Sequence, residues 1–221
     1  MFTTGGTATF TSTSNNDPLM YSFALTGGIA TGKTTFGRFL LERCPSAVVF
    51  DCDKVVSRLL NDQLIQAKIV SALGESVVDR VSGNLSRTAL REEVFSNACS
   101  RTALEEILHP LTREECLESL AETATSGGSS MFIADVPLLF ESGFDFGYES
   151  SLLVATTRET QLERLKSRDG HDDALSEAML DAQLPISEKV DRADVVFWNE
   201  GPEQVLRCQI FRFLETLDIL N

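Results

Sequence analysis

Ser22-Phe23-Ala24-Leu25-Thr26-Gly27-Gly28-Ile29-Ala30-Thr31-Gly32-Lys33-Thr34-Thr35 is the stretch that decides the fold. Tyr21 to Thr26 has the length and apolar character of a short buried strand, and Phe36, Phe39 and Leu40 then recur at i, i+3 and i+4 on one helical face. Between strand and helix, Gly27, Gly32, Lys33 and Thr34 fill the spacing G-x-x-x-x-G-K-[ST] of a P-loop.

The residue types follow from the chemistry of an anion cradle. Glycines let backbone N–H groups curl around phosphate oxygens, and the helix that follows adds the positive end of its dipole. Gly28, Ile29, Ala30, Thr31, Gly32, Lys33, Thr34 and Thr35 are thus expected to bind the phosphates of ATP. Lys33 would reach the β- and γ-phosphates and Thr34 would ligate the bridging Mg2+.

Composition narrows the partners. The 221 residues carry 19 Lys+Arg against 33 Asp+Glu, a formal charge of −14 that disfavours a nucleic-acid or anionic-membrane surface. No 18-residue apolar run is present, so no membrane span is expected. Five scattered cysteines without C-x-x-C spacing suggest reduced thiols and a cytoplasmic protein; Cys52 reads as a small core residue. Residues 1–18, rich in Thr, Ser, Gly and Asn, are expected to be a disordered tail. With no Lys or Arg before Lys33, that tail lacks the features of a secretory signal or a transit peptide.

Further strands are expected at Ala47–Phe50, Met131–Asp135, Leu152–Thr156 and Asp194–Trp198, with Trp198 in the core. The first of these delivers Asp51-Cys52-Asp53. If the chain stays extended there, both carboxylates point to one crevice, suited to Mg2+ handling and general-base work; either could equally cap a following helix. Asp135 ends its strand as a metal-side carboxylate would, or as a turn residue. Residues 61–128 read as a helical lobe inserted for the second substrate, with Leu104, Ile107, Leu108 and Leu111 on one stripe and Gly83-Asn84 as a turn between helices. Core segments are expected at 19–60, 129–160 and 191–221, and a polar helical lid at 161–190. In that lid Arg164 and Arg168, four residues apart, could clamp phosphates or form a solvated face. A last helix is expected to pack through Val205, Ile210, Phe213, Leu214 and Leu217.

From Phe23 to Leu217 the chain resembles the dephospho-CoA kinase family of P-loop enzymes. The resemblance rests on the P-loop, Phe50-Asp51-x-Asp53, Gly83-x-Leu85-x-Arg87, Leu108-His109-Pro110-Leu111, Asp135-Val136-Pro137-Leu138-Leu139-Phe140-Glu141, Gln161-Leu162-x-Arg164, Gln183-x-Pro185, Lys189 and Ala193-Asp194. It implies a five-stranded parallel sheet in the order 2-3-1-4-5 with helices on both faces. The implied reaction transfers the γ-phosphoryl group of ATP to the 3′-hydroxyl of dephospho-CoA. It further implies Asp53 as base, Lys33 and Arg164 as catalytic cations, and Asp53, His109 and Arg87 near the acceptor. Thr34, Asp51 and Asp135 would serve Mg2+, and no nucleic-acid or membrane partner is expected. For His109 the residue alone allows a structural histidine as readily.

Two departures stand out: Ala30 where the family usually has Gly, and Asn199-Glu200-Gly201 where it usually has Asn-Asn-Gly or Asn-Ser-Gly. Another small-molecule kinase of this fold, or a nucleotide-binding regulator without turnover, remains an alternative. A GTPase and a transporter ATPase are disfavoured because N-K-x-D and L-S-G-G-Q stretches are both lacking.

Overall fold

Tyr21–Gly27 forms strand β1, and every residue from Ser22 to Gly27 is buried. The structure, a computed structural model, describes residues 20–169 and 172–217, apart from the side chains of Arg168 and Asp169. The expected tail and the Arg168 half of the arginine pair therefore lie outside the described residues. After β1 come helix α1 (Lys33–Arg43), strand β2 (Val48–Asp51), and helices α2 (Cys52–Leu59), α3 (Gln63–Leu73), α4 (Arg87–Ser96) and α5 (Ala98–Ser126). Strand β3 (Met131–Asp135), helix α6 (Leu139–Ser142), strand β4 (Ser150–Ala155) and helices α7 (Arg158–Asp169), α8 (Asp173–Asp181) and α9 (Ile186–Arg192) follow. Strand β5 (Val195–Trp198) and helix α10 (Glu203–Thr216) close the fold.

All four strand pairings are parallel, in the order β2-β3-β1-β4-β5, so the P-loop strand is central. Alternation along the strands builds two cores. Phe23, Leu25, Met131, Ile133, Leu152 and Val154 face α1 and α10, where Phe36, Leu40, Leu206 and Ile210 meet them. Ala24, Phe132 and Ala134 face the opposite side, against Cys52, Cys116 and Leu139. Helices on both faces explain why these strands read as continuous apolar runs.

A third cluster joins Ile65, Ile69, Val77, Leu90 and Leu108 from α3, the short 3-10 turn Glu75–Val77, α4 and the first half of α5. α5 then leaves that cluster, and its Cys116 and Leu120 pack on the sheet, so one helix belongs to both layers. Gly83-Asn84 lies between α3 and α4 as expected, in a hairpin-like turn. Val78 bridges Leu85 antiparallel, and the Asp79 carboxylate accepts from the Val81 and Ser82 N–H groups.

Two core expectations are corrected. Phe197 takes the inward place on β5, stacked edge-on against Phe36 and Phe213, so alternation turns Trp198 outward, where it is 39% exposed. The backbone of Trp198 on this edge strand is paired instead with the Gln209 side chain, through both its N–H and its carbonyl. On α10 the packing face starts at buried Leu206, and Val205 is exposed. A helix beginning at Glu203 puts 206, 210, 213, 214 and 217 on one stripe and leaves 205 off it.

Candidate active site

The P-loop runs from the end of β1 into α1 with no side-chain cap on that helix, which leaves its first N–H groups free for an anion. Its glycines answer to close neighbours. A Cβ on Gly27 would come within 2.7 Å of Thr31 Oγ1 and 3.0 Å of the Val154 carbonyl. Gly32 has φ 100°, and a Cβ there would lie 2.2 Å from Asn199 Nδ2. The buried Thr31 hydroxyl donates to the Gly28 carbonyl at 2.9 Å, stapling the loop internally. Gly28, Ile29, Ala30, Thr31, Gly32, Lys33, Thr34 and Thr35 all line one cavity of about 550 Å3, with Arg164 in the opposite wall.

Ala30 sits at φ 59°, alone among the described non-glycine residues in having a positive φ. The left-handed region crowds an L side chain, so the departure from Gly is strained rather than neutral. Ala30→Gly is expected to raise stability by up to ~1 kcal/mol, about 2–4 °C in thermal midpoint for a chain of this size. An unchanged or lower midpoint on melting the two proteins side by side would count against this strain.

Acids gather at the neighbouring strand ends. The register pairs Asp51 with Asp135 across β2 and β3, and Lys33 Nζ forms an ion pair with Asp135 Oδ1. Asp51 and Asp53 do not share one face of an extended chain, which corrects that expectation. The Asp51 carboxylate accepts the Lys54 N–H at 2.9 Å and caps α2, turning the chain helical at Cys52. Partial burial pushes the Asp51 pKa up, but the hydrogen bonds from Lys54 and the charges of Lys54 and Lys33 outweigh it, leaving the pKa below its usual value. Asp53 occupies the first turn of α2 with an accessible carboxylate. Its pKa is raised, chiefly by desolvation and further by Asp51 and Asp135, against the opposing pull of Lys33. Cys52 between them is buried in the core, and burial drives its thiol pKa far up, so it is not a nucleophile.

The helices after β4 grip the loop from the other side. Arg164 Nη1 donates to the Ala30 and Thr31 carbonyls at 3.2 and 3.3 Å, and Nη2 to the Asn199 carbonyl at 2.9 Å. Two glutamines bracket Ile29: Gln161 Nε2 donates to its carbonyl at 2.6 Å, and its N–H donates to Gln183 Oε1 at 3.1 Å. Asn199 Nδ2 donates to the Thr31 carbonyl at 2.8 Å. The segment holding Gln183 is itself fastened by Glu141, which accepts the Leu184 N–H and pairs at 2.6 Å with the fully buried Lys189. The roles of Gln161, Gln183 and Asn199 escaped the sequence reading. The available signal was that Gln161 and Gln183 stand in stretches that carry the family resemblance, and Asn199 in the turn that departs from it.

Arg87 and His109 lie away from the P-loop cavity. Arg87 Nη2 donates to the Ser57 carbonyl at 2.7 Å and to Asn61 Oδ1 at 2.9 Å, tying α4 to the end of α2. His109 meets the edge of Phe144 with ring centroids 6.0 Å apart.

A model of the family described as dephospho-CoA kinase matches residues 21–204. The chain belongs to the dephospho-CoA kinase family. It is 35% identical over 193 residues to a dephospho-CoA kinase of Fusobacterium nucleatum, covering 87% of this chain and 96% of that one. To one from Anaeromyxobacter dehalogenans it is 38% identical over 199 residues, covering 90% and 92%. Among solved structures, a Thermus thermophilus protein superposes with TM-score 0.75 at 29% identity, over 90% of this chain and 98% of the other. A dephospho-CoA kinase from Campylobacter jejuni gives 0.61 at 27% identity, over 89% and 96%. As a dephospho-CoA kinase family member the chain is an ATP-dependent transferase acting in the last step of coenzyme A biosynthesis.

Proposed function

We propose that the ribose 3′-hydroxyl of dephospho-CoA enters beside Asp53 and attacks the γ-phosphorus of an ATP held by Gly28 to Thr35. The observation that carries this reading is the Lys33–Asp135 pair, which ties the phosphate cradle to the strand ends where Asp51 and Asp53 emerge. Asp53 accepts the hydroxyl proton. Lys33 and Arg164 balance charge on the transferring group, in a loose transition state where positioning and electrostatics supply most of the rate.

Mg2+ fits the donor set. Among the described residues no group of three or more His, Cys, Asp or Glu forms a metal cage. Mg2+ on nucleotides uses one or two protein oxygens, with phosphates and water supplying the rest. The Thr34 hydroxyl and the Asp135 carboxylate, with Asp51 beside it, would hold it, and when bound it neutralises β- and γ-phosphate charge. Asp135 would then exchange its contact with Lys33 for the metal side while Lys33 turns to phosphate.

Arg87 and His109 are proposed to serve the acceptor, residues 61–128 its lobe and 161–190 the lid. The tie from Arg87 to Ser57 and Asn61 supports an acceptor site walled by α2 and α4. A cytoplasmic location belongs to the same proposal, supported by five unpaired cysteines. Among the described residues no helix is long and apolar enough to cross a membrane.

The test is an acceptor screen with ATP and Mg2+. Dephospho-CoA should be phosphorylated, and adenosine, AMP and gluconate should not. Turnover on another acceptor in preference to dephospho-CoA, or ATP binding with no turnover on any of the four, would overturn the reading.

A further inference from the structure

Glu200 sits in the turn between β5 and α10, yet its carboxylate serves a different element. Oε1 accepts the Thr156 hydroxyl and, at 2.6 Å, the Thr157 N–H, while Oε2 accepts the Thr160 hydroxyl at 3.0 Å. All three donors lie at the start of α7, where an orphan N–H and the positive end of the helix dipole favour a negative charge. These hydrogen bonds hold the Glu200 pKa down at about 2, so the carboxylate is ionised across the working range.

The same turn reaches the P-loop through its neighbour. The Asn199 carbonyl accepts Arg164 Nη2 and lies 3.1 Å from the Thr156 hydroxyl, whose single proton it shares with Glu200, and Asn199 Nδ2 donates to the Thr31 carbonyl. Thr160 and Arg164 are one helical turn apart on α7, so fixing the first turn fixes the base of the Arg164 side chain. Arg164 is thereby held at both ends: its base through the first turn of α7 that Glu200 fastens, and its guanidinium by the Ala30, Thr31 and Asn199 carbonyls.

We propose that Glu200 is a positioning residue for phosphoryl transfer, clamping the first turn of α7 so that Arg164 stands over the P-loop cavity. This rests on the reading of Arg164 as a cation acting on the transferring phosphate. A residue that acts through another should lose its effect once that other is gone, whereas simple fold support should persist.

The experiment is a double-mutant cycle, measuring kcat and KM for ATP in wild type, Glu200→Ala, Arg164→Ala and the double variant, with dephospho-CoA as acceptor. Glu200→Ala is expected to lower kcat about tenfold with KM for ATP changed less than about threefold, and to change kcat by less than about twofold when Arg164 is already Ala. Glu200→Gln, which keeps the shape and one acceptor oxygen, should fall between wild type and Glu200→Ala, and it carries the same cycle if the alanine variant does not fold. Equal losses in both backgrounds would overturn the proposal and leave the Arg164 reading standing, as would an unchanged kcat in Glu200→Ala. If Arg164→Ala alone stays within a few-fold of wild type in kcat, the Arg164 reading fails first and the proposal with it.

Discussion

Asp53→Asn should fold, bind ATP and lose roughly a hundred- to ten-thousand-fold in turnover, the span of a missing general base. The expectation rests on how the two acids after β2 differ. Asp51 spends its carboxylate locally, accepting the Lys54 N–H and pairing with Lys54 Nζ at 3.0 Å. Asp53 makes no such hydrogen bond or ion pair among the described residues and feels Lys33 only through its field; it is accessible, and desolvation together with its acidic neighbours makes it the more basic of the two. Asn at 53 keeps the volume and removes the proton acceptor. Asn at 51 remains a good N-cap, so Asp51→Asn tests the charge without unwinding α2. Single-turnover rates with dephospho-CoA, set beside calorimetric ATP affinities, separate the two. Near-normal turnover in Asp53→Asn with an inactive Asp51→Asn would show the roles reversed.

The residues alone left that distinction open and only the resemblance drew it, and the reason is local. Asp-x-Asp after a strand reads as two acids on one side only while the chain stays extended, and a single hydrogen bond from the Lys54 N–H ends the extension at Asp51. By contrast the central place of β1 was legible. A P-loop between an apolar run and an amphipathic helix is a feature of contiguous residues, and strands buried on both faces read as unbroken apolar runs. Partners far apart in the chain were the harder part. Gln161 meets Ile29 across 132 positions and Asn199 meets Thr31 across 168, separations over which no local pattern pairs one residue with the other. Trp198 shows the same limit for packing. Its strand was evident, but which of two adjacent aromatics faces inward depended on Phe36 and Phe213 meeting Phe197.

The stretch proposed as the lid is fastened at several points: Lys189 is fully buried against Glu141, and Gln161, Arg164 and Gln183 all hold P-loop backbone. Contacts to carbonyls rather than to side chains have a consequence. They are indifferent to the identity of Ile29, Ala30 and Thr31 but sensitive to the loop's shape, so lid position and cradle shape are set together. The strain at Ala30 is held in place by the same bonds, since Arg164 takes its carbonyl.

Lys33→Ala should be the most damaging single change after Asp53→Asn, lowering turnover roughly a hundred- to a thousand-fold, as loss of one preorganised charge-stabilising donor does. Lys33 begins α1, so its backbone is fixed by the loop, and its ammonium reaches Asp135 at the end of β3. Removing it leaves Asp53 and Asp135 without the cation that offsets them, in a chain already at −14. A triphosphate would then approach an uncompensated acidic corner, so ATP affinity should fall along with turnover. Lys33→Arg should not restore activity, because a planar guanidinium fork does not replace a compact ammonium between a carboxylate and phosphate oxygens. Asp135→Asn separates the two parts of the site. If Asp135 serves the metal side once Lys33 turns to phosphate, the variant should need a higher Mg2+ concentration for half-maximal turnover. If Asp135 is only a counterion for Lys33, Mg2+ dependence should stay as in wild type. A Lys33→Ala protein that is folded and within tenfold of normal turnover would remove Lys33 from the mechanism and, with it, the assignment of the loop as the site of transfer.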